Sequence, residues 1–244
     1  MWSAASQLVA KVSGRFARDA LTLGEGEVCA AFRRSFYLRF AGERYACVGD
    51  PSLGRGPLNA LVDDFRPLAI GQRVSVSVAS LWQPACTAPA KFTRLEAKVP
   101  DEGLGCLLIG QYNALATHAQ PGLDALDEWL RHDVAVPAEA ARLIGLGPGL
   151  TPSGDDYFGG MLVALRALAR NAQADALWRW LQPRLAAGTS ALSAAHLEAA
   201  AAGEAHEIVH EVLLDPRLAQ KLDRIGHCSG WDALAGAVAV LRTS

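Results

Sequence analysis

The feature that most constrains the fold is a change of sequence pattern near residue 100. Before it, short apolar and alternating runs are typical of β-strands, as where Val74, Val76 and Val78 alternate with polar residues. After Pro100 the chain is rich in alanine and leucine at helical spacing. We therefore predict an α+β protein, with a small antiparallel β sheet or barrel over residues 1–100 and a mostly α-helical domain over residues 101–244.

The individual elements follow from the same patterns. Strands are predicted at 26–32, 35–40, 44–49, 73–82, 91–99 and 105–110. Residues 41–43 suit a hairpin turn, and a short helix is expected from Leu58 onward. Gly188, Gly203 and Gly226 are typical helix stops. Helices are predicted at 121–132, 137–144, 154–171, 174–187, 190–202, 204–214, 215–225 and 230–242.

Composition narrows the classes of function. The net charge is −2 and no lysine- or arginine-rich run occurs, so we expect no nucleic-acid partner. The first residues lack the pattern of a secretory signal, and no apolar run has the length of a membrane span. We therefore expect a cytoplasmic protein without a membrane partner. The cysteines form no CxxC pair, which argues against a disulfide framework or a thiolate metal cage; they are Cys29, Cys47, Cys86, Cys106 and Cys228.

A glycine-rich loop, GLGPGLTPSGDDYFGG at 145–160, runs into a predicted helix start with two adjacent carboxylates. Helix starts attract anions because their first N–H groups are unpaired, and glycines let the backbone approach a ligand. The predicted anion-binding residues here are Gly147, Gly149, Thr151, Ser153 and Gly154. Asp155 and Asp156 are predicted catalytic residues that orient an attacking amide or accept a proton. They could instead hold Mg²⁺ beside a phosphate, so Mg²⁺ is a candidate cofactor whose ligands stay unassigned.

Part of this helix start recurs near the C-terminus. Six residues reappear 76 positions later; Ser153, Gly154, Asp156, Gly160, Leu165 and Arg166 correspond to Ser229, Gly230, Asp232, Gly236, Leu241 and Arg242. The repeat suggests two helices related by a pseudo-twofold axis, with their N-termini toward one cleft. His227, as a catalytic donor or acid–base group, and Ser229, as a substrate-binding residue, would face it. Arg55 is a candidate anion clamp from the first domain.

Other interpretations of these residues stay open. In both copies a serine precedes an aspartate by three positions, which also fits a capping box without any ligand. A third helix start can be capped by Thr189 or Ser190. His206 to His210 spell HEIVH, whose two histidines could hold zinc with Glu207 as general base, although an amphipathic helix edge gives the same residues.

Three segments together resemble the family of the AllH subunit of oxamate carbamoyltransferase. They are GLGPGLTPSGDDYFGGMLVALR (145–166), GTSALSAAHLEAAAAGE (188–204) and GHCSGWDALAGAVAVL (226–241), with a weaker N-terminal match at GRGPLN (54–59). Cys228 stands where the family has a small hydroxyl residue. The resemblance implies a subunit, working with other subunits, of an enzyme of purine (allantoin) breakdown. That enzyme moves a carbamoyl group between oxalurate and phosphate, giving carbamoyl phosphate and oxamate. A noncatalytic subunit that binds a ligand or braces a partner is the alternative, and a zinc hydrolase through HEIVH is a further one.

Overall fold

The computed structural model describes residues 8–85, 88–92, 95, 97–132 and 135–243. The chain forms two compact units, Met1–Pro84 and Ala85–Ser244, and each has its own hydrophobic core. The first is rich in β-strands and the second is mostly helical, so the predicted α+β class is confirmed. The predicted domain division after residue 100 stays a prediction.

The first unit is built on a mixed sheet. The described residues of this unit form nine strands: β1 (Leu8–Ala10), β2 (Val12–Gly14), β3 (Gly26–Ala31), β4 (Ser35–Phe40), β5 (Arg44–Gly49), β6 (Asn59–Leu61), β7 (Arg73–Val74), β8 (Val76–Val78) and β9 (Leu81–Trp82). Seven of them form a sheet in the order β7-β3-β4-β5-β6-β2-β9, while β1 and β8 pair separately. The hairpin expected at 41–43 joins antiparallel β4 and β5. The pairs β5/β6, β2/β9 and β1/β8 are parallel, so the strand pairing is mixed and not antiparallel throughout as predicted.

Several predicted elements of the first hundred residues were wrong. The helix expected from Leu58 is instead strand β6, because these residues pair with β5 and bury Ala60 and Leu61. The run at 73–82 is broken into β7, β8 and β9, which belong to two sheets. The described residues of 91–99 form no strand, and residues 93, 94 and 96 lie outside the described part. A short helix, α1 (Arg15–Leu21), was not predicted.

The second unit contains six α-helices in its described part, close to the predicted ones. They are α2 (Ala114–His132), α3 (Ser153–Ala167), α4 (Asn171–Gly188), α5 (Ala191–Ala201), α6 (Glu207–Leu214) and α7 (Ser229–Leu241). Helix α2 begins earlier than predicted because Asn113 accepts a hydrogen bond from the amide of Ala116 and caps it. Three further segments are 3-10 helices: Gly105–Ile109, where a strand was predicted, and Ala138–Leu143 and Pro216–Arg224.

Helix α3 lies at the centre of the second core. Tyr157, Phe158, Met161, Leu162 and Leu165 are all buried, and the helix packs against α4, α5 and α7. No helix in the described part of the chain combines the length and apolar character needed to cross a membrane. Four described cysteines are unpaired thiols; Cys86 lies outside the described residues.

Candidate functional site at two crossing helix starts

Helices α3 and α7 cross in direct backbone contact. A Cβ on Gly160 would overlap the carbonyl oxygen of Ala233, and a Cβ on Gly236 would overlap the carbonyl oxygen of Tyr157. Ala233 and Gly236 lie 76 positions after Tyr157 and Gly160, so the two contacts join corresponding residues of the two helices. Such a reciprocal contact is what a local twofold axis requires and agrees with the predicted relation between the helices.

The crossing brings the two helix starts together. The hydroxyls of Thr151 and Ser229 lie 3.1 Å apart, and Ser153 Oγ lies 3.8 Å from Cys228 Sγ. Neither N-cap residue, Pro152 or Cys228, makes a side-chain capping hydrogen bond. The capping-box interpretation is therefore wrong, because the serines interact across the crossing.

The carboxyl group of Asp156 lies beside the hydroxyls of Thr151 and Ser229. The residue is half-buried, and its Oδ2 has neither solvent contact nor a hydrogen-bond partner. Burial raises the pKa of Asp156 well above its usual range; the charges of Asp232 and Asp155 add to this, while the two hydroxyls oppose it. Asp156 therefore keeps its proton to a higher pH than an ordinary aspartate.

Asp232 is the counterpart of Asp156 in α7 and is fully buried. Its Oδ1 accepts hydrogen bonds from the amides of Leu104 (2.6 Å) and Gly105 (2.9 Å), while Oδ2 has no partner. Burial raises the pKa of Asp232, and Ser153, Cys228 and the two amides oppose that rise. Gly103, with φ of +74°, passes so close that a Cβ there would overlap Oδ1. The sequence pointed to Asp232 only through the repeat, and nothing in it indicated that residues 103–105 cover this carboxylate.

Asp155 faces away from the crossing, toward α5. It is 2% exposed, and its Oδ1 accepts a hydrogen bond from the amide of Gly145 at 2.8 Å. Its Oδ2 accepts hydrogen bonds from the hydroxyls of Ser193, at 2.6 Å, and Thr189. These contacts tie the glycine-rich loop to the start of α5, where Ser190 is the cap, one of the two residues predicted for it. The catalytic role of Asp155 stays a prediction.

The two adjacent carboxylates do not converge on a metal. Asp155 has donors on both oxygens, so Mg²⁺ held jointly with Asp156 would have to displace them. Among the described residues no group of three or more His, Cys, Asp or Glu side chains is arranged to hold a metal ion. These residues therefore do not fit a shared Mg²⁺ ion.

The glycine-rich loop folds over the start of α3. Gly147 and Gly149 have φ of +112° and +98°, and a Cβ on Gly147 would come within 3.0 Å of the Ser153 amide nitrogen. The amide of Gly154 donates to the Leu146 carbonyl at 2.9 Å, and that of Asp155 donates to Pro152. The Gly154 amide, one of those expected to cradle an anion, is thus used within the chain. Thr151, Ser229 and Asp156 keep partial exposure instead.

Two further predicted site residues, His227 and Arg55, have partners of another kind. His227 is exposed just before α7, and its imidazole pairs with the carboxylate of Glu102. Arg55 belongs to the first unit, where its guanidinium carbon lies 5.8 Å from the centre of the Trp82 ring. Both assignments stay predictions.

The HEIVH segment caps α6. His206 Nδ1 accepts a hydrogen bond from the amide of Ile208 at 3.2 Å, and His210 Nε2 accepts one from Ala205 at 3.0 Å. Burial, with a smaller contribution from the charge of His206, lowers the pKa of His210 and of His196 to about 4. One ring nitrogen of each motif histidine is thus engaged by the backbone, which favours the structural interpretation of the motif.

A cavity of about 260 Å³ lies elsewhere in the second unit, between α2 and α7. Tyr157, Asp127 and Arg131 contribute to its lining, but none of the predicted site residues does. The cavity is therefore distinct from the crossing of the helix starts.

The second unit thus belongs to a helical class of protein in which two repeated helix starts meet around two aspartates, the half-buried Asp156 and the fully buried Asp232. Residues 143–241 match the family model described as oxamate carbamoyltransferase subunit AllH. The match spans the end of the 3-10 helix Ala138–Leu143, the glycine-rich loop and helices α3 to α7, and confirms the resemblance predicted from the sequence. No curated protein and no solved structure matches the chain.

Proposed function

We propose that this chain is a subunit of a carbamoyl-transferring enzyme that acts on oxamate or oxalurate and carbamoyl phosphate in purine (allantoin) breakdown. A small anionic substrate binds at the crossing of α3 and α7, and other subunits are the partners, in the cytoplasm. One observation carries this proposal: Asp156 lies beside Thr151 and Ser229, two hydroxyls supplied by two different helix starts. The family match over residues 143–241 supports it.

The electrostatics of the crossing suit a small anion. Two helix N-termini add partial positive charge at the same place. A protonated Asp156 does not repel a negative ligand, and the hydroxyls of Thr151 and Ser229 can donate hydrogen bonds to it. In this proposal Gly147, Gly149, Ser153 and Gly154 shape the loop. The hydroxyls bind the anion, since the Gly154 amide is already bonded.

The reaction requires one proton to move. The carbamoyl C–N bond of oxalurate breaks while a C–O bond to phosphate forms, and the departing amide nitrogen takes the proton that the phosphate hydroxyl loses. Asp156 is a titratable side chain beside the two hydroxyls, and its raised pKa lets it hold a proton that an ordinary aspartate would already have lost. Asp155 acts as a positioning residue through Gly145, Thr189 and Ser193. His227 and Arg55 are proposed as further contacts to the substrate.

The test measures carbamoyl transfer by the chain purified with its partner subunits. Asp156→Ala should lower kcat by about a hundredfold or more, as for loss of a general acid–base group, and Ser229→Ala should lower it less. Glu139→Gln is the matched control, since it neutralises an exposed carboxylate outside the crossing. Unchanged turnover of Asp156→Ala in an intact complex would overturn the catalytic proposal.

The internal bonding of the Gly154 and Asp155 amides favours a second candidate function. A noncatalytic subunit would use the crossing to bind a ligand or brace a partner. In that case Asp156→Ala and Ser229→Ala would weaken ligand affinity or assembly, measured by calorimetry and sedimentation, and leave the kcat of the assembled complex unchanged.

A further inference from the structure

The cavity between α2 and α7 has a charged end. Its apolar lining residues are Leu107, Leu108, Leu123, Ala235, Val238 and Ala239, and its charged ones are Asp124, Asp127, Arg131 and Arg242. The C-terminal ends of the two helices lie together, because the guanidinium of Arg170 donates to the Leu130 carbonyl at 2.8 Å and to the Thr243 hydroxyl at 3.0 Å. Arg131 and Arg242 adjoin these two acceptors in the chain, so both cations belong to this end of the cavity.

The charges at this end are not equally engaged. Asp124 accepts a hydrogen bond from the side chain of Gln120 at 2.6 Å, and Asp127 lies 3.6 Å from the guanidinium of Arg131. The exposed guanidinium of Arg242 has neither a hydrogen bond nor an ion pair with any residue that the structure describes. Both carboxylates are therefore paired within α2, and the charge left for a ligand is a cation.

Tyr157 adds a hydroxyl group beside this cation. The residue is 3% exposed and belongs to the cavity lining. Burial raises the pKa of Tyr157; the charge of Asp127 adds to this rise and that of Arg242 opposes it, so the phenol lies near both charges. A buried tyrosine hydroxyl usually has a hydrogen-bond partner, but none of the described residues provides one here. A ligand in the cavity can supply it.

We propose that this cavity binds a small carboxylate with an apolar body. The Arg242 guanidinium and the Tyr157 hydroxyl donate hydrogen bonds to the carboxylate, and the apolar lining residues contact the body. The volume of about 260 Å³ corresponds to about nine water molecules at about 30 Å³ each, so the ligand has about nine non-hydrogen atoms. None of the residues predicted for the α3/α7 crossing lines the cavity, so this site is additional to the proposed function and does not depend on it.

Benzoate and benzamide form a matched pair of probes for this cavity. They have the same ring and the same number of non-hydrogen atoms, and they differ in a charged carboxylate against a neutral amide. Titration calorimetry of the full-length chain should give benzoate an affinity about tenfold or more above that of benzamide, since hydrogen bonds between charged groups are the stronger ones. Arg242→Gln should lower benzoate affinity about tenfold and leave benzamide affinity unchanged. Tyr157→Phe should lower benzoate affinity by a smaller factor, because it removes only the hydroxyl.

Three further variants locate the binding site. Ala239→Leu fills part of the cavity, so it should weaken the binding of both probes. Arg179→Gln removes an exposed cation of α4 outside the cavity and should leave both affinities unchanged. Ser229→Ala alters the α3/α7 crossing and should also leave both affinities unchanged.

Thermal unfolding checks that each variant is folded. Equal affinities of the wild type for the two probes, absence of binding by both, or an unchanged benzoate affinity in Arg242→Gln would overturn the inference. Retained binding of both probes in folded Ala239→Leu, or loss of benzoate binding in Ser229→Ala, would place the ligand outside this cavity and overturn it as well. None of these results bears on carbamoyl transfer, which is tested separately through the kcat of Asp156→Ala.

Discussion

At the scale of single residues, Asp155 and Asp156 are adjacent in the chain and experience different environments. Consecutive helical residues project about 100° apart, so one side chain faces α5 and the other faces α7. Asp155 accepts three hydrogen bonds within the chain, whereas Asp156 has a buried oxygen without any. The sequence could single out the acidic pair but could not assign different roles to its members, because Thr189, Ser193 and Ser229 come from distant parts of the chain.

Asp156→Asn should change how stability depends on pH. The folded-state pKa of Asp156 is raised by burial, with Asp232 and Asp155 adding to the rise. In the unfolded chain this carboxyl group has a pKa of about 4, so above that pH the unfolded chain loses its proton while the folded chain still holds it. The free energy of unfolding of the wild type therefore falls as the pH rises, until the folded carboxyl group ionises as well. Asparagine does not ionise, so the variant should not show this loss of stability with rising pH.

Urea unfolding at a series of pH values measures this effect. Asp156→Asn should be more stable than the wild type near pH 8, and the difference should shrink toward pH 4. Glu139→Gln, at an exposed site, provides the baseline. A difference that is the same at every pH would contradict the raised pKa.

Asp155→Ala should be strongly destabilising for a different reason. The substitution leaves the Gly145 amide and the hydroxyls of Thr189 and Ser193 without their acceptor. Loss of a buried charged acceptor costs about 3 kcal/mol or more in the free energy of unfolding. Ser193→Ala removes one of these bonds and should cost about 1 kcal/mol. Urea unfolding compares the two, and equal effects would show that Asp155 does not connect the loop to α5.

At the scale of secondary-structure elements, the crossing of α3 and α7 depends on two glycines that allow backbone contact. Gly160→Ala should destabilise the protein by about 3 kcal/mol, because its Cβ would overlap the Ala233 carbonyl and the helices would have to separate. Its neighbour Gly159 is the matched control, since a Cβ there meets only Ala200 Cβ at 3.8 Å. Gly159→Ala should therefore stabilise the protein by about 0.5–1 kcal/mol. Chemical denaturation measures both, and equal effects would contradict the close crossing.

Element types were easier to predict than element ends. Helix α3 was expected to reach residue 171 but ends at Ala167, because Ala169 adopts a positive φ of 56° and the Arg170 amide donates back to Leu165. Glycine is the usual signal for that conformation, and no glycine stands here. Likewise, GCLLIG has the composition of a strand, but its first amide, with that of Leu104, is held by Asp232, more than a hundred residues away.

At the scale of the whole molecule, the change of pattern near residue 100 was enough to predict the α+β class. Helical and alternating periodicities are local properties, so they can be read without tertiary contacts. Ser229 of α7 lies beside Asp156 of α3, and Ser153 of α3 lies beside Asp232 of α7. These contacts join distant parts of the chain, so local periodicity cannot predict them. The repeat indicated the two helices, but it did not indicate that one copy is covered by residues 103–105.

Two fragments of the chain test where the helical unit begins. Within that unit the Ala90 amide donates to Leu213, the Lys98 amide donates to Gln220, and Val99 is buried in the core. The fragment 85–244 should therefore unfold cooperatively, whereas 101–244 should be less stable by about 3 kcal/mol or more, from the lost burial of Val99 and these hydrogen bonds. Val99→Ala in the longer fragment should reproduce part of the loss, because it removes the buried side chain alone. Equal urea midpoints for the two fragments would place the boundary at residue 100, as the sequence pattern predicts.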